Sequence, residues 1–214
     1  MIDAPAGLRV RRRCRPSAPA AAPDDVAILL VPPQDRSDLW ARYRAGAFAA
    51  YARHRVEHVL ALPDTGQDED RPWFEVAVNQ HGTVVGGLRV NGPLADIREA
   101  AALTELADHP HAAAALSRVL RRRIDSGIAE IKGFWVRHDE PHRGSIAGRL
   151  AGTVVDIGAV LGVRHLFCTA ADHASQRWRA AGAVELDTVP AVPFPDHRYR
   201  TTVLWWDLDE WRHG

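Results

Sequence analysis

Glu130 and Lys132 stand two residues apart in Ile128-Ala-Glu-Ile-Lys-Gly-Phe-Trp-Val136, a β-branched and aromatic run that reads as a strand. Alternate residues of a strand share a face, so the carboxylate and the only lysine of the chain project together. A carboxylate there can take a proton from an ammonium nucleophile, directly or through water, with the lysine tuning its proton affinity. A plain structural ion pair is the alternative. Arg89, in Val84-Val-Gly-Gly-Leu-Arg-Val-Asn-Gly-Pro93, offers a planar fork that could hold a substrate carboxylate at two points, against the simpler reading of a surface arginine. A third constellation, Arg143-Gly-Ser-Ile-Ala-Gly148, follows a strand and opens a helix. Free backbone N–H groups and the positive helix end converge on an anion in that arrangement, and a diphosphate suits it. Small residues that let a helix pack closely on a sheet are the competing explanation.

Other chemistries find less support. Among eleven histidines, His138 and His142 share a turn without a third close ligand, and His109 and His111 flank a proline, so no metal site is expected. A serine-hydrolase elbow, Gly-x-Ser-x-Gly, does not occur, since Gly144-Ser145 lacks its second glycine. Cys14 and Cys168 are the only cysteines, which fits a reduced, cytoplasmic setting. Lys+Arg and Asp+Glu balance at 27 each, giving no reason to expect nucleic acid as a partner. No apolar run reaches the ~20 residues of a membrane helix, so no membrane association is expected. The basic run Arg9 to Arg15 lacks the apolar core of a signal peptide.

The elements that must position these residues can be read in order. Residues 1–25 have the Arg, Ala and Pro content of a flexible tail, and 26–214 form one domain. Val26 to Val31 is a strand closed by Pro32-Pro33. Ser37 can cap a helix to about His54, with Leu39, Tyr43, Ala47 and Tyr51 in one stripe and Trp40 and Phe48 beside it. An acidic loop at 64–72 precedes a hairpin, Trp73 to Val78 and Thr83 to Val90. Helices are expected over 94–109 and 112–123, separated at Pro110, followed by the strand 128–136 and a helix from Ser145 to Leu161. A strand at 163–169, a helix capped by Asp172 and stopped by Gly182, and a strand pair at 183–189 and 200–208 complete the count. Alternation sends Trp205 and Trp206 to opposite faces: one belongs in the core, and the other, with Phe134, Trp135 and Phe194, could line an apolar tunnel or simply pack.

This order, with the segment Arg143 to Gly148 and the later helix ending Trp178-Arg-Ala-Ala-Gly182, resembles the GNAT acyltransferases. The resemblance implies an α/β fold with a central mixed, mostly antiparallel twisted sheet of about seven strands and helices on both faces. It implies that Phe134, Trp135 and Val136 meet the pantetheine arm of a thioester donor and that Arg143, Gly144, Ser145, Ile146, Ala147 and Gly148 hold its diphosphate. Two positions depart from the pattern. Ile146 stands where the family usually has glycine, and Trp178 where many members carry the tyrosine thought to reprotonate the leaving thiolate.

A second resemblance covers roughly residues 36 to 136. Val84 to Pro93 is similar to the Val-Gly-x-x-Arg-Leu-x-x-Pro strand of autoinducer (acyl-homoserine lactone) synthases, and Glu130-Ile-Lys-Gly-Phe-Trp-Val136 to their Glu-x-Ser-Arg-Phe-x-Val. Asp68-Glu-Asp70 and the helix with Trp40 and Phe48 fall in the matching order, and substrate-binding roles are expected for Arg89, Trp40 and Phe48; the catalytic roles expected for Glu130 and Lys132 rest on their own chemistry. Lys132-Gly133 replaces the family's Ser-Arg pair, so lactone production is not expected. The expectation is an N-acyltransferase of the autoinducer-synthase or N-acyl amino acid synthase type, using acyl-CoA or an acyl carrier protein thioester and a small-molecule amine. A conventional acetyl-CoA-dependent N-acetyltransferase and a non-catalytic domain that binds a thioester or a protein partner stay open.

Overall fold

The computed structural model describes residues 26–32, 35–60 and 72–209. The tail at 1–25, most of the acidic loop and the C-terminal Trp211 lie outside the described residues. β1 (Val26–Val31) pairs antiparallel with β2 (Trp73–Asn79), and β2 with β3 (Val84–Asn91) across the turn at Gly82, whose φ of +73° suits glycine. β3 pairs antiparallel with β4 (Ile128–Val136), and β4 runs parallel to β5 (His165–Ala171). β7 (Thr201–Asp207) lies antiparallel between β5 and the short β6 (Val184–Glu185), giving a seven-stranded sheet in the order β1-β2-β3-β4-β5-β7-β6. The architecture expected from the sequence is the one observed.

Helices cover both faces. On one face α1 (Ser37–Ala52) packs on β2 to β4 through Leu39, Trp40, Tyr43 and Ala47, and α2 (Ala101–Glu105) and α3 (Pro110–Arg121) cover Ile128, Phe167, Val203 and Trp205. On the other, α4 (Arg143–Gly152), α5 (Val154–Leu161) and α6 (Asp172–Ala180) bury Leu88, Val90, Ala129, Ile131, Leu166 and Trp206. Trp205 and Trp206 do face opposite ways, and both are core residues. Arg143–Leu161 is the one helical stretch among the described residues long and apolar enough to cross a membrane, at 19 residues. Its apolar side chains Ile146, Leu150, Val154 and Ile157 are buried against the sheet.

Several boundaries differ from expectation for identifiable reasons. Ser37 and Asp172 are the first helical residues, not caps; their side chains leave the first turn uncapped, and Arg36 and Ala171 occupy the cap positions. The helix expected over 94–109 is a 3-10 turn, Ile97–Glu99, and the five-residue α2, because Ala100 between them is extended (φ −69°, ψ 109°). The single helix expected to Leu161 divides at Thr153, whose hydroxyl engages Leu150 O at 2.8 Å and Glu75 Oε2 at 2.7 Å. Pro110 opens α3 at its first position, where a missing N–H costs nothing.

Candidate active site

β4 and β5 pair only from Ile128↔His165 to Glu130↔Phe167, although both strands continue, to Val136 and Ala171. Beyond Glu130 the sheet therefore opens between them. Parallel strands that stop pairing release one edge of backbone N–H and C=O groups from the ladder, which gives a ligand a place to complete it.

The opening coincides with a bulge. Arg89 faces Lys132 and Gly87 faces Trp135, so Leu88 alone opposes both Gly133 and Phe134. Gly133 adopts φ +60°, and a Cβ there would sit 2.4 Å from the Tyr43 hydroxyl, so glycine is required twice over. The extra residue reverses the alternation. Lys132 and Trp135 share the α1 face, while Phe134 and Val136 turn to the α4 face. Tyr43 fixes the bulge by donating its hydroxyl to Gly133 O at 2.9 Å, and Trp135 rests on Gly46, where a Cβ would meet the indole at 2.0 Å.

Glu130 and Lys132 lie on the same face, as their spacing requires, with Lys132 Nζ 3.7 Å from Glu130 Oε1. Glu130 is fully buried and accepts the backbone N–H of Ala101 at 2.7 Å and of Ala102 at 2.9 Å. Its carboxylate thus caps α2 from the neighbouring strand. Lys132 Nζ also pairs with Glu105, at the end of α2, and donates to Thr169 Oγ1 of β5 at 2.9 Å; Thr169 Oγ1 in turn donates to Glu105 Oε2 at 2.7 Å. Burial raises the proton affinity of Glu130, against the attraction of Lys132. For Lys132 burial acts downward, but Glu105 and Glu130 together hold it above the ordinary lysine range. Arg89, the cross-strand neighbour of Lys132, is buried at 3% exposure and is no surface residue. Two carboxyl groups, an ammonium and a guanidinium thus sit together beneath the opening, on the α1 face.

The other face carries the donor-side candidates. α4 starts at Arg143, two residues earlier than expected, and Ile146 N already bonds His142 O at 3.0 Å. Ile146, Ala147 and Gly148 therefore fall past the opening residues of the helix, where Arg143 N already bonds Glu140 O at 3.2 Å, and Ile146 points its side chain into the core with Val85 and Leu150. Of the residues expected to hold an anion, only Arg143, Gly144 and Ser145 stand at the helix start, with open space above Gly144. Arg177 of α6 joins them: its guanidinium lies 5.1 Å over the Phe134 ring, and its pKa is lowered by burial and by the proximity of Arg143. Trp178 packs edge-on against Phe134 and Trp206, at 5.0 and 5.7 Å, as a core residue.

Of the expected acceptor-side aromatics, Trp40 is 1% exposed and stacked on Tyr43, whereas Phe48 is 56% exposed on the outer side of α1. The structure does not bring the two together. It does bring Tyr51 to the opening, with its hydroxyl 3.4 Å from Phe134 O. Glu105, Thr169, Arg177 and Tyr51 carry no local sequence signal, since each reaches the cluster from a different element. Among the described residues no group of three or more His, Cys, Asp or Glu is placed to hold a metal ion.

No protein-family model matches the chain. Uncharacterized proteins of Mycobacterium tuberculosis and Mycobacterium bovis are 38% identical over 169 residues, 79% of this chain. The chain spans 64% of the length of those relatives. Among solved structures, FeeM, an N-acyl amino acid synthase from uncultured soil microbes, superposes with a TM-score of 0.58 at 12% identity, covering 88% of this chain and 93% of FeeM. MesI, a CoA-dependent acyl-homoserine lactone synthase, gives 0.53 at 19% identity over 85% of this chain and 89% of its own. A putative phosphinothricin N-acetyltransferase gives 0.53 at 14% identity over 85% and 99%. The chain carries a GNAT-like fold, the fold of these acyl-homoserine lactone synthase, N-acyl amino acid synthase and N-acetyltransferase structures.

Proposed function

We propose that the protein is an N-acyltransferase that moves an acyl group from acyl-CoA or an acyl carrier protein thioester to the amine of a small molecule such as an amino acid. The observation that carries this reading is the end of β4–β5 pairing at Glu130↔Phe167 with a bulge at Gly133 directly beyond it. The released edge at Phe134, Trp135 and Val136 can take up the amide-bearing arm of the donor. Arg143, Gly144 and Ser145, joined by Arg177, supply cations and helix N–H groups for its phosphates. Backbone N–H groups of the same edge stabilise the oxyanion as the nucleophile adds.

On the acceptor side, Arg89 suits a carboxylate and the Glu105–Lys132–Glu130 chain manages the amine proton. Glu130 is enclosed and occupied by α2, while Glu105 stands at the more exposed end. Glu105 receives the proton, and Lys132 and Glu130 fix the charge around it. Amide hydrogen exchange with and without CoA tests the donor half of this reading. Protection is expected at Phe134 to Val136 and at Gly144 and Ser145; protection confined to other segments, with CoA and with a carrier-bound thioester alike, contradicts it.

A further inference from the structure

A thioester donor seated on the released edge at Phe134 to Val136 presents its acyl chain to the gap between β4 and β5, so whatever spans that gap sets the length of chain it can take. Two residues beyond Glu130↔Phe167 the same register brings Lys132 opposite Thr169, and here side chains meet in place of backbones, Nζ to Oγ1 at 2.9 Å. Glu105 closes the triangle, accepting the Thr169 hydroxyl at 2.7 Å on one oxygen and the Lys132 ammonium on the other. Lys132 is 8% exposed, so the bridge is a buried one. Below it the same face is filled by Glu130, Ile128 and Phe167, each 0% exposed. The aromatic side chains that could have lined a tunnel are dispersed: Trp205 and Phe194 pack with α2 and α3, Trp135 with α1, and Phe134 with Trp178.

Resting on the acyltransferase reading above, we propose that the Lys132–Thr169–Glu105 bridge is a length gate that restricts the donor to short acyl groups, with Thr169 as its specificity-determining residue. Two residues of strand, about 6–7 Å, separate the edge at Phe134 from the level of Lys132, and a contact distance of about 4 Å takes most of that, leaving room for roughly two or three carbons past the carbonyl. Acetyl to butyryl groups fit. A longer chain must part Lys132, Thr169 and Glu105 and set hydrocarbon against an ammonium and a carboxylate that are already out of water. The methylenes that follow, each worth only about fourfold in affinity, do not offset that loss.

The test is kcat/KM over acetyl-, butyryl-, hexanoyl- and octanoyl-CoA, and over the same acyl groups on a carrier protein, with a panel of amino acids as acceptors. The parent should favour acetyl or butyryl donors and lose on the order of 10²-fold at octanoyl. Thr169→Ala breaks the bridge from the β5 side and clears its volume, so the ratio of octanoyl to acetyl turnover should rise by at least about tenfold. Thr169→Ser, which keeps the hydroxyl, should hold the parent ratio. The parent series decides the length limit even if Thr169→Ala does not fold. A parent that turns over octanoyl donors as well as acetyl ones overturns the gate alone, as does an Ala variant with the parent ratio or an equal rise in both variants. A parent idle on every donor overturns the acyltransferase reading and the gate with it.

Discussion

Lys132 Nζ of β4 and Thr169 Oγ1 of β5 are 2.9 Å apart at a level where the two strands no longer pair. A side-chain bridge, reinforced by Glu105, thus spans a gap that the backbone leaves open. Lys132→Met should leave Glu105 and Glu130 buried without their lysine partner and lower unfolding stability by about 3–5 kcal/mol in denaturant titration. Lys132→Arg, which keeps the charge, should lose less. Equal losses for the two variants would contradict the bridge.

Glu130 serves α2 with both oxygens, at 2.7 and 2.9 Å from Ala101 N and Ala102 N. An amide in its place can accept from one N–H but confronts the other with its own NH2. Glu130→Gln should cost about 1–3 kcal/mol and speed amide exchange at Ala101 and Ala102. Unchanged exchange there would show that α2 does not depend on this carboxylate.

The bulge and Tyr43 form a second coupled pair. Gly133→Ala places a methyl 2.4 Å from the Tyr43 hydroxyl at a φ of +60°. In the Tyr43→Phe background the oxygen is gone and only the backbone strain remains. A thermodynamic cycle should therefore show Gly133→Ala costing less in that background, with a coupling of at least about 0.5 kcal/mol. Additive effects would mean the bulge tolerates a side chain by some other adjustment.

Glu75 contributes a pH dependence away from the opening. Burial pushes its carboxyl up to about 7, the Thr153 hydroxyl acting against the shift and Asp156 with it. The folded protein then holds this proton more tightly than the unfolded chain, whose carboxyl titrates near about 4.3. Its favourable contribution is complete below that value and is lost as pH rises through about 7. Glu75→Gln should flatten the fall of Tm between those limits and be more stable than the parent above neutrality, by on the order of 2–3 kcal/mol. Parallel Tm–pH curves for the two proteins would contradict an enclosed, proton-binding Glu75.

The sheet was legible because its strands are bounded by hard signals: Pro32-Pro33 after β1, Gly82 in the hairpin, and β-branched runs in β1 and β4 whose bounds match the expected ones. The shared face of Glu130 and Lys132 followed from alternation alone. Alternation failed one residue later, since Gly133 inserts a bulge and sends Phe134 and Trp135 to the faces opposite those that a regular strand would assign. Helix starts at Ser37 and Asp172 were mistaken for caps because a local side chain is the only cap visible in a sequence. The cap of α2 comes from Glu130, 29 residues from Ala101, where no local rule applies. Glu105, Thr169, Arg177 and Tyr51 escaped for the same reason: each joins the candidate site through tertiary placement, not through its neighbours in the chain.

Amine-dependent thiol release is the most direct test of the central claim. Purified protein, presented with acetyl-, butyryl- and octanoyl-CoA and the same acyl groups on a carrier protein, should release thiol only when an amino-group acceptor is supplied, with one amide formed per thiol released. No amine-dependent release from any of these donors would contradict acyl transfer at the opening between β4 and β5.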